Sequence, residues 1–231
     1  MNVRGSSSNN SPKYDFSNKV VLITGGTGAL GRSITKAFLV SNVTTTIATY
    51  IIEEEMEYLK SETKTAAVEL IRADITKDEE VKKLISKVTE KYNRIDILVN
   101  VVGGYLGGKS VSELEEQEWD FMMNLNLKSA FLISKHVIPI MASAKYGKMV
   151  HVSSRTALKS DGYDSVYAAS KSGLIRLVES VSEEVKELNI NVNCIMPSII
   201  DTEANRKAMP KSDFSKWIKP EDLANVVIPL L

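Results

Sequence analysis

Tyr167 and Lys171 stand four residues apart in the run Tyr167-Ala168-Ala169-Ser170-Lys171, and Ser154 lies thirteen residues upstream of the tyrosine. Residues four apart share one face of a helix. A phenol ordinarily titrates near ~10. An ammonium held beside it stabilises the phenolate, which brings proton transfer within reach of neutral pH. Taken alone, the pair also fits a helix face with a half-buried ring and a solvated amine, so its meaning depends on its surroundings.

The second chemical signal lies near the N-terminus. Val20-Val21-Leu22-Ile23 is a short apolar run of the kind that forms a strand buried on both faces. Thr24-Gly25-Gly26-Thr27-Gly28-Ala29-Leu30-Gly31 follows at once, and the next nine residues carry apolar side chains at helical spacing. Strand, glycine turn and helix make the first half of a dinucleotide-binding βαβ unit. Glycines let the backbone approach a pyrophosphate, and the helix N-terminus offers it unpaired N–H groups.

Elements that would bring these two signals together alternate along the whole chain. Strands are expected at 19–24, 44–49, 68–72, 95–100, 148–153 and 190–196. Helices are expected near 29–41, 52–60, 78–92, 113–144, 164–188 and 220–230. Asn124-Leu125-Asn126 breaks good helix formers and splits the fourth helix, and Pro139 marks a bend in it. Thr202 to Ile218 reads as loop. Such alternation implies an α/β fold: a single Rossmann-like three-layer domain, a parallel sheet with helices on both faces. It is expected to fill residues 14–231, with a disordered tail or an appended remnant at 1–13. In an open sheet of this kind the ligand binds beyond the carboxyl ends of the strands. The glycine turn, Asp74, Asn100, Ser154 and Pro197 all follow predicted strands and should converge on that edge.

Bulk properties exclude several classes. The chain has 231 residues, 43% hydrophobic, with 29 Lys+Arg against 29 Asp+Glu. Zero net charge gives no field to steer nucleic acid. No apolar stretch approaches the ~20 residues of a membrane span. The one cysteine, Cys194, sits in a strand pattern, reads as an inert core residue and suits a reducing cytoplasm. Neither His136 nor His151 has neighbours at metal-ligand spacing, so no metal is expected.

With these residues assembled, the chain resembles the short-chain dehydrogenase/reductase family over nearly its full length. Thr24-Gly25 through Gly31 is similar to the family's TGxxxGxG loop, with Ala29 at the middle glycine and Gly28 one place earlier. Asp74 matches an adenine-contacting acid, and Asn100-Val101-Val102-Gly103 resembles the NNAG segment with two departures. Asn126, Ser154, Tyr167 and Lys171 match the catalytic tetrad. Pro197 to Thr202 is similar to the PGxxxT segment, with Ser198 for glycine.

The resemblance implies an NAD(P)-dependent oxidoreductase that passes a hydride between nicotinamide and a carbonyl or alcohol. It implies that Tyr167 moves the proton, Lys171 lowers its pKa and holds the nicotinamide ribose, Ser154 bonds the carbonyl oxygen, and Asn126 positions a water. Bound dinucleotide is expected against Gly25, Thr27, Gly28, Leu30, Gly31, Tyr50, Asp74, Ile75, Asn100, Val101, Gly103, Tyr167, Lys171, Pro197, Ile200 and Thr202. NADP is preferred to NAD, because Thr49 and Tyr50 stand where NAD-preferring members carry an acid. The segment Ala204 to Trp217 is similar to the C-terminal part of dihydropteridine reductases, so such an enzyme is one alternative. Met209, Phe214 and Trp217 would then either cover a flat ring or pin the loop to the core. A non-catalytic dinucleotide-binding regulator is another alternative. Typical members continue into a last strand beyond the point where this chain stops, which puts the usual tetramer in question. A homodimer or homotetramer is expected to pack helices 128–144 and 164–188 through Ser129, Ala130, Ala168, Ala169 and Gly173.

Overall fold

The computed structural model describes residues 14–41, 43–63 and 68–231. The expected tail at 1–13 lies outside them. Six strands form one sheet: β1 Val20–Thr24, β2 Thr45–Tyr50, β3 Val68–Arg72, β4 Ile97–Asn100, β5 Gly147–Val152 and β6 Ile190–Ile195. All neighbours run parallel, in the order β3-β2-β1-β4-β5-β6. The chain starts in the middle of the sheet, builds to one edge, then returns to build the other. The reversal between β1 and β4 opens a crevice at their carboxyl ends.

The helices are α1 Ala29–Leu39, α2 Glu53–Thr63, α3 Asp78–Tyr92, α4 Glu116–Met123, α5 Ser129–Ala144, α6 Ser165–Val185, α7 Glu203–Ala208 and α8 Pro220–Val227. Strand side chains alternate between two faces. Val20 and Leu22 of β1 join α3, α5 and α6 on one side, whereas Val21 and Ile23 join α1 and α8 on the other. Phe38 of α1 is fully buried, and truncating it would cost about 3–5 kcal/mol. Local chemistry sets the helix ends. Asp78, Glu79 and Glu80 open α3 and suit its positive dipole end. Asn93 closes it in the left-handed conformation, and Pro220 opens α8. Among the described residues no helix is long and apolar enough to cross a membrane.

Three expectations need correction. The helix expected at 113–144 divides at Asn124 as anticipated, but through a π-helical turn, Asn124–Lys128, that joins α4 to α5 without a gap. Pro139 lies inside α5, which continues to Ala144. The loop expected between Thr202 and Ile218 holds α7, capped by the Thr202 hydroxyl accepting from the Asn205 N–H at 3.1 Å. Finally, Ser129, Ala130 and Ala168 are buried in their own chain, so they are not available to a partner. Gly173 lets α6 approach Leu127 of the π turn, where a Cβ would come within 2.9 Å.

Candidate active site

A cleft of about 480 Å³ opens over the carboxyl ends of β1, β4, β5 and β6. Gly28, Ala29, Leu30 and Gly31 form its floor, and Val101 and Gly103 to Tyr105 one wall. Val152 to Thr156 and Pro197 to Ile200 form the other, with Asp161, Asp164, Tyr167 and Lys171 entering from α6 and the loop before it. Asn205 of α7 and Met209 just after it close one end. Phe214 and Trp217 are not in the lining; their rings pack against each other at a tilt of 51°, centroids 4.7 Å apart, with Arg206 over the phenylalanine. Of the three apolar residues in that segment, Met209 alone reaches the cleft.

The turn after β1 is shaped by close approach. Gly25 takes φ +66°, in the left-handed region that favours glycine. A Cβ on Gly31 would collide with the Gly25 carbonyl. On the far wall, a Cβ on Gly103 would lie 2.8 Å from Lys171 Nζ and 2.9 Å from Asn126 Oδ1. At both places a side chain would displace atoms of the chain itself.

Lys171 is buried, and its Nζ donates to the Val152 carbonyl at 2.9 Å. Burial pushes its ammonium down to about 8. Burial pushes the Tyr167 phenol above its ordinary value; the Ser154 hydroxyl opposes that shift and the Asp164 carboxylate adds to it. The expectation that Lys171 lowers the tyrosine pKa is therefore not met here, because the amine is turned to the end of β5 and desolvation dominates. Ser154 also caps the short turn Arg155–Ala157, its Oγ accepting from the Thr156 N–H at 3.2 Å.

Asn126 is fully buried behind the wall. Its Oδ1 accepts from the Gly104 N–H at 2.9 Å, and its Nδ2 donates to the Gly104 carbonyl at 3.1 Å and to Ser170 Oγ at 2.9 Å. The π turn aims it there, a known use of such turns.

Gly28, Leu30, Gly31, Val101, Gly103, Ser154, Tyr167, Lys171, Pro197 and Ile200 thus meet in the cleft. The other expected residues do not line it. Gly25 is the turn itself, donating its N–H to Thr49 Oγ1 at 3.0 Å. Thr27 Oγ1 faces Glu55 at 3.4 Å. Tyr50 ends β2. Asp74 holds its own turn, accepting from the Thr76 N–H at 3.0 Å and Thr76 Oγ1 at 2.6 Å and pairing with Lys77 at 3.2 Å. Ile75 is core. Asn100 is buried in a polar chain across the sheet, from Thr24 Oγ1 to Asn100 Oδ1 and from Asn100 Nδ2 to His151 Nδ1, with Ser134 beyond. Burial holds His151 down to about 4, so its ring is neutral. Thr202 lines a smaller cleft of about 200 Å³ beside Arg32 and Ser33. Sequence reasoning missed Tyr105, Arg155, Asp161 and Asp164. Only the glycine-flanked Tyr105, in Gly103-Gly104-Tyr105-Leu106-Gly107-Gly108, gave any signal.

The sequence pattern described as short chain dehydrogenase matches residues 19–213. A 3-oxoacyl-acyl-carrier-protein reductase of Thermotoga maritima is 31% identical over 220 residues, covering 91% of this chain and 89% of the relative. A 7alpha-hydroxysteroid dehydrogenase of Bacteroides fragilis is 31% identical over 192 residues, covering 82% and 74%. Among solved structures, ElxO with NADP bound superposes with a TM-score of 0.86 at 25% identity, covering 92% of this chain and 91% of that one. Sequence, relatives and fold agree with the cleft just described, and the chain belongs to the short-chain dehydrogenase/reductase family.

Proposed function

We propose that the protein is an NAD(P)-dependent oxidoreductase that interconverts a small-molecule carbonyl and its alcohol. One observation carries this reading: Ser154, Tyr167 and Lys171, distant from Gly28–Gly31 in sequence, line one cleft with that glycine turn. The residues present fit a dinucleotide, since the glycine turn and the N-terminus of α1 open directly onto the cleft. Gly28, Leu30 and Gly31 would hold the pyrophosphate at the start of α1, whose own first turn carries no acidic side chain. Gly103, Lys171, Pro197 and Ile200 would hold the nicotinamide end. When bound, the nicotinamide supplies or accepts the hydride.

Tyr167 moves the proton. A phenol raised by burial stays protonated and serves as donor in the reducing direction. Ser154 hydrogen-bonds the carbonyl oxygen as charge develops on it. Lys171 holds the ribose, and Asn126 fixes the Gly103–Gly104 wall through which it acts. The coenzyme preferred is NADP: β2 ends in Thr49 and Tyr50 rather than an acid, and the similar ElxO structure holds NADP. The single cysteine favours a cytoplasmic setting. The assembly is a homodimer or homotetramer; Trp119, Phe121 and Phe131, each about half exposed on α4 and α5, supply apolar surface for it.

The test is turnover of NADPH or NADH with a panel of ketones, 3-oxoacyl thioesters and alcohols. Tyr167→Phe should lower kcat by about 10²–10⁴-fold while the NADPH-induced rise in melting temperature persists. Full activity in that variant would refute the mechanism.

A further inference from the structure

Asp164 sits at the N-cap of α6, where an aspartate ordinarily accepts from the helix's own N–H groups, yet its side chain makes no such bond. Its Oδ1 instead accepts from the Tyr105 phenol at 2.7 Å. The Tyr105 ring stands edge-on to Tyr167, with centroids 5.0 Å apart and planes at 76°. Tyr105 is 62% exposed, so core packing does not explain its place against a reacting side chain. The Gly108 N–H donates to the Tyr163 carbonyl at 2.8 Å, a second tie between the same two segments. Tyr163 adopts φ +69°, a left-handed geometry costly for a bulky residue. Gly107 packs against the Tyr105 phenol and the Asp164 carboxylate so closely that any side chain there would collide with both. A forgone cap, a strained neighbour and a closely fitted Gly107 all serve one contact.

We propose that Tyr105 and Asp164 form a latch between the glycine-rich loop 103–108 and the start of α6, closing one side of the cleft and fixing the orientation of the Tyr167 ring. Both are positioning residues: they act through Tyr167 rather than on the substrate carbonyl. This rests on the reading of Tyr167 as the proton carrier. Burial and the bond to Asp164 push the Tyr105 phenol up to about 12, so it remains a donor throughout the working range. The Asp164 charge also disfavours the Tyr167 phenolate. Ser154, Arg155, Asp161 and Lys171 share the cleft with the tyrosine.

The experiment compares the full-length wild type with Tyr105→Phe and Asp164→Asn. Hydrogen exchange over residues 103–108 reports the latch without requiring activity, and it should accelerate in Tyr105→Phe, which loses the phenol. The same variant should lose up to about 10²-fold in kcat, the scale of a small misplacement of a reacting group, with NADPH affinity unchanged. Asp164→Asn should move the alkaline limb of alcohol oxidation, which follows the Tyr167 phenolate, to lower pH. Unchanged loop exchange and unchanged kcat in Tyr105→Phe would overturn the latch while leaving the oxidoreductase reading intact. An unmoved pH limb in Asp164→Asn would overturn the role of its charge. A wild type that turns over no carbonyl or alcohol would refute the oxidoreductase reading, with loop exchange still deciding whether the latch exists.

Discussion

Burial moves Tyr167 and Lys171 in opposite directions, raising the phenol and lowering the ammonium to about 8. Both shifts favour the neutral form, as desolvation requires. Lys171 therefore carries a stability cost with a definite pH signature. An unfolded lysine titrates near ~10.4, so between about 8 and that value the unfolded chain still holds a proton that the folded chain has released. Stability rises with pH across this window and is lost as pH falls through it. The melting temperature of wild type relative to Lys171→Met should climb from pH 8 toward pH 10; parallel curves for the two proteins would show that the amine is not desolvated. The pair's partnership on one helix was legible because four-residue spacing is local. The direction of the tyrosine shift was not, because it depends on how deeply each group sinks, which spacing does not encode. Tyr105 and Asp164 were missed for a related reason: their bond spans 59 residues, and neither belongs to a periodic pattern.

Strands and long helices announce themselves by runs and periods of apolar side chains, and five of the six helices expected follow the anticipated spans closely. The fourth shows what a pattern hides. Its break at Asn124–Asn126 is visible in composition, yet composition does not distinguish a gap from a π turn that keeps the rod continuous. The π turn has a local purpose, since it puts Asn126 opposite Gly104. Asn126→Ala would leave the partly buried Gly104 N–H and C=O without their partner, at up to about 1–3 kcal/mol for each unsatisfied group. Urea unfolding should report a loss in that range, accompanied by weaker NADPH binding as the Gly103–Gly104 wall loosens. Stability equal to wild type would mean that water replaces the amide and that the turn serves some other end. The short α7 escaped notice because none of its residues is buried; a cap and one turn of exposed side chains leave no hydrophobic trace.

The parallel sheet follows from the alternation of strands and helices, with right-handed crossovers. Its quaternary partner does not follow, because a surface meant for a second copy obeys no periodicity of its own chain. Small residues were expected at that surface, but Ser129, Ala130 and Ala168 face inward. On α4 and α5 the exposed large apolar side chains are instead Trp119 at 46%, Phe121 at 56% and Phe131 at 47%. An aromatic side chain buries ~150–250 Å², and a stable interface needs ~800 Å² on each side. Three aromatics could thus supply the apolar centre of a contact, with charged α4 neighbours such as Glu116 and Asp120 at its rim. If they do, Phe131→Glu combined with Phe121→Glu should convert the wild-type oligomer to monomer by light scattering, with the helical circular dichroism retained. The charges would have to be desolvated against a partner, whereas in the monomer they face water and cost little. A wild type already monomeric at micromolar concentration, or a double variant of unchanged mass, would place the contact elsewhere on the molecule.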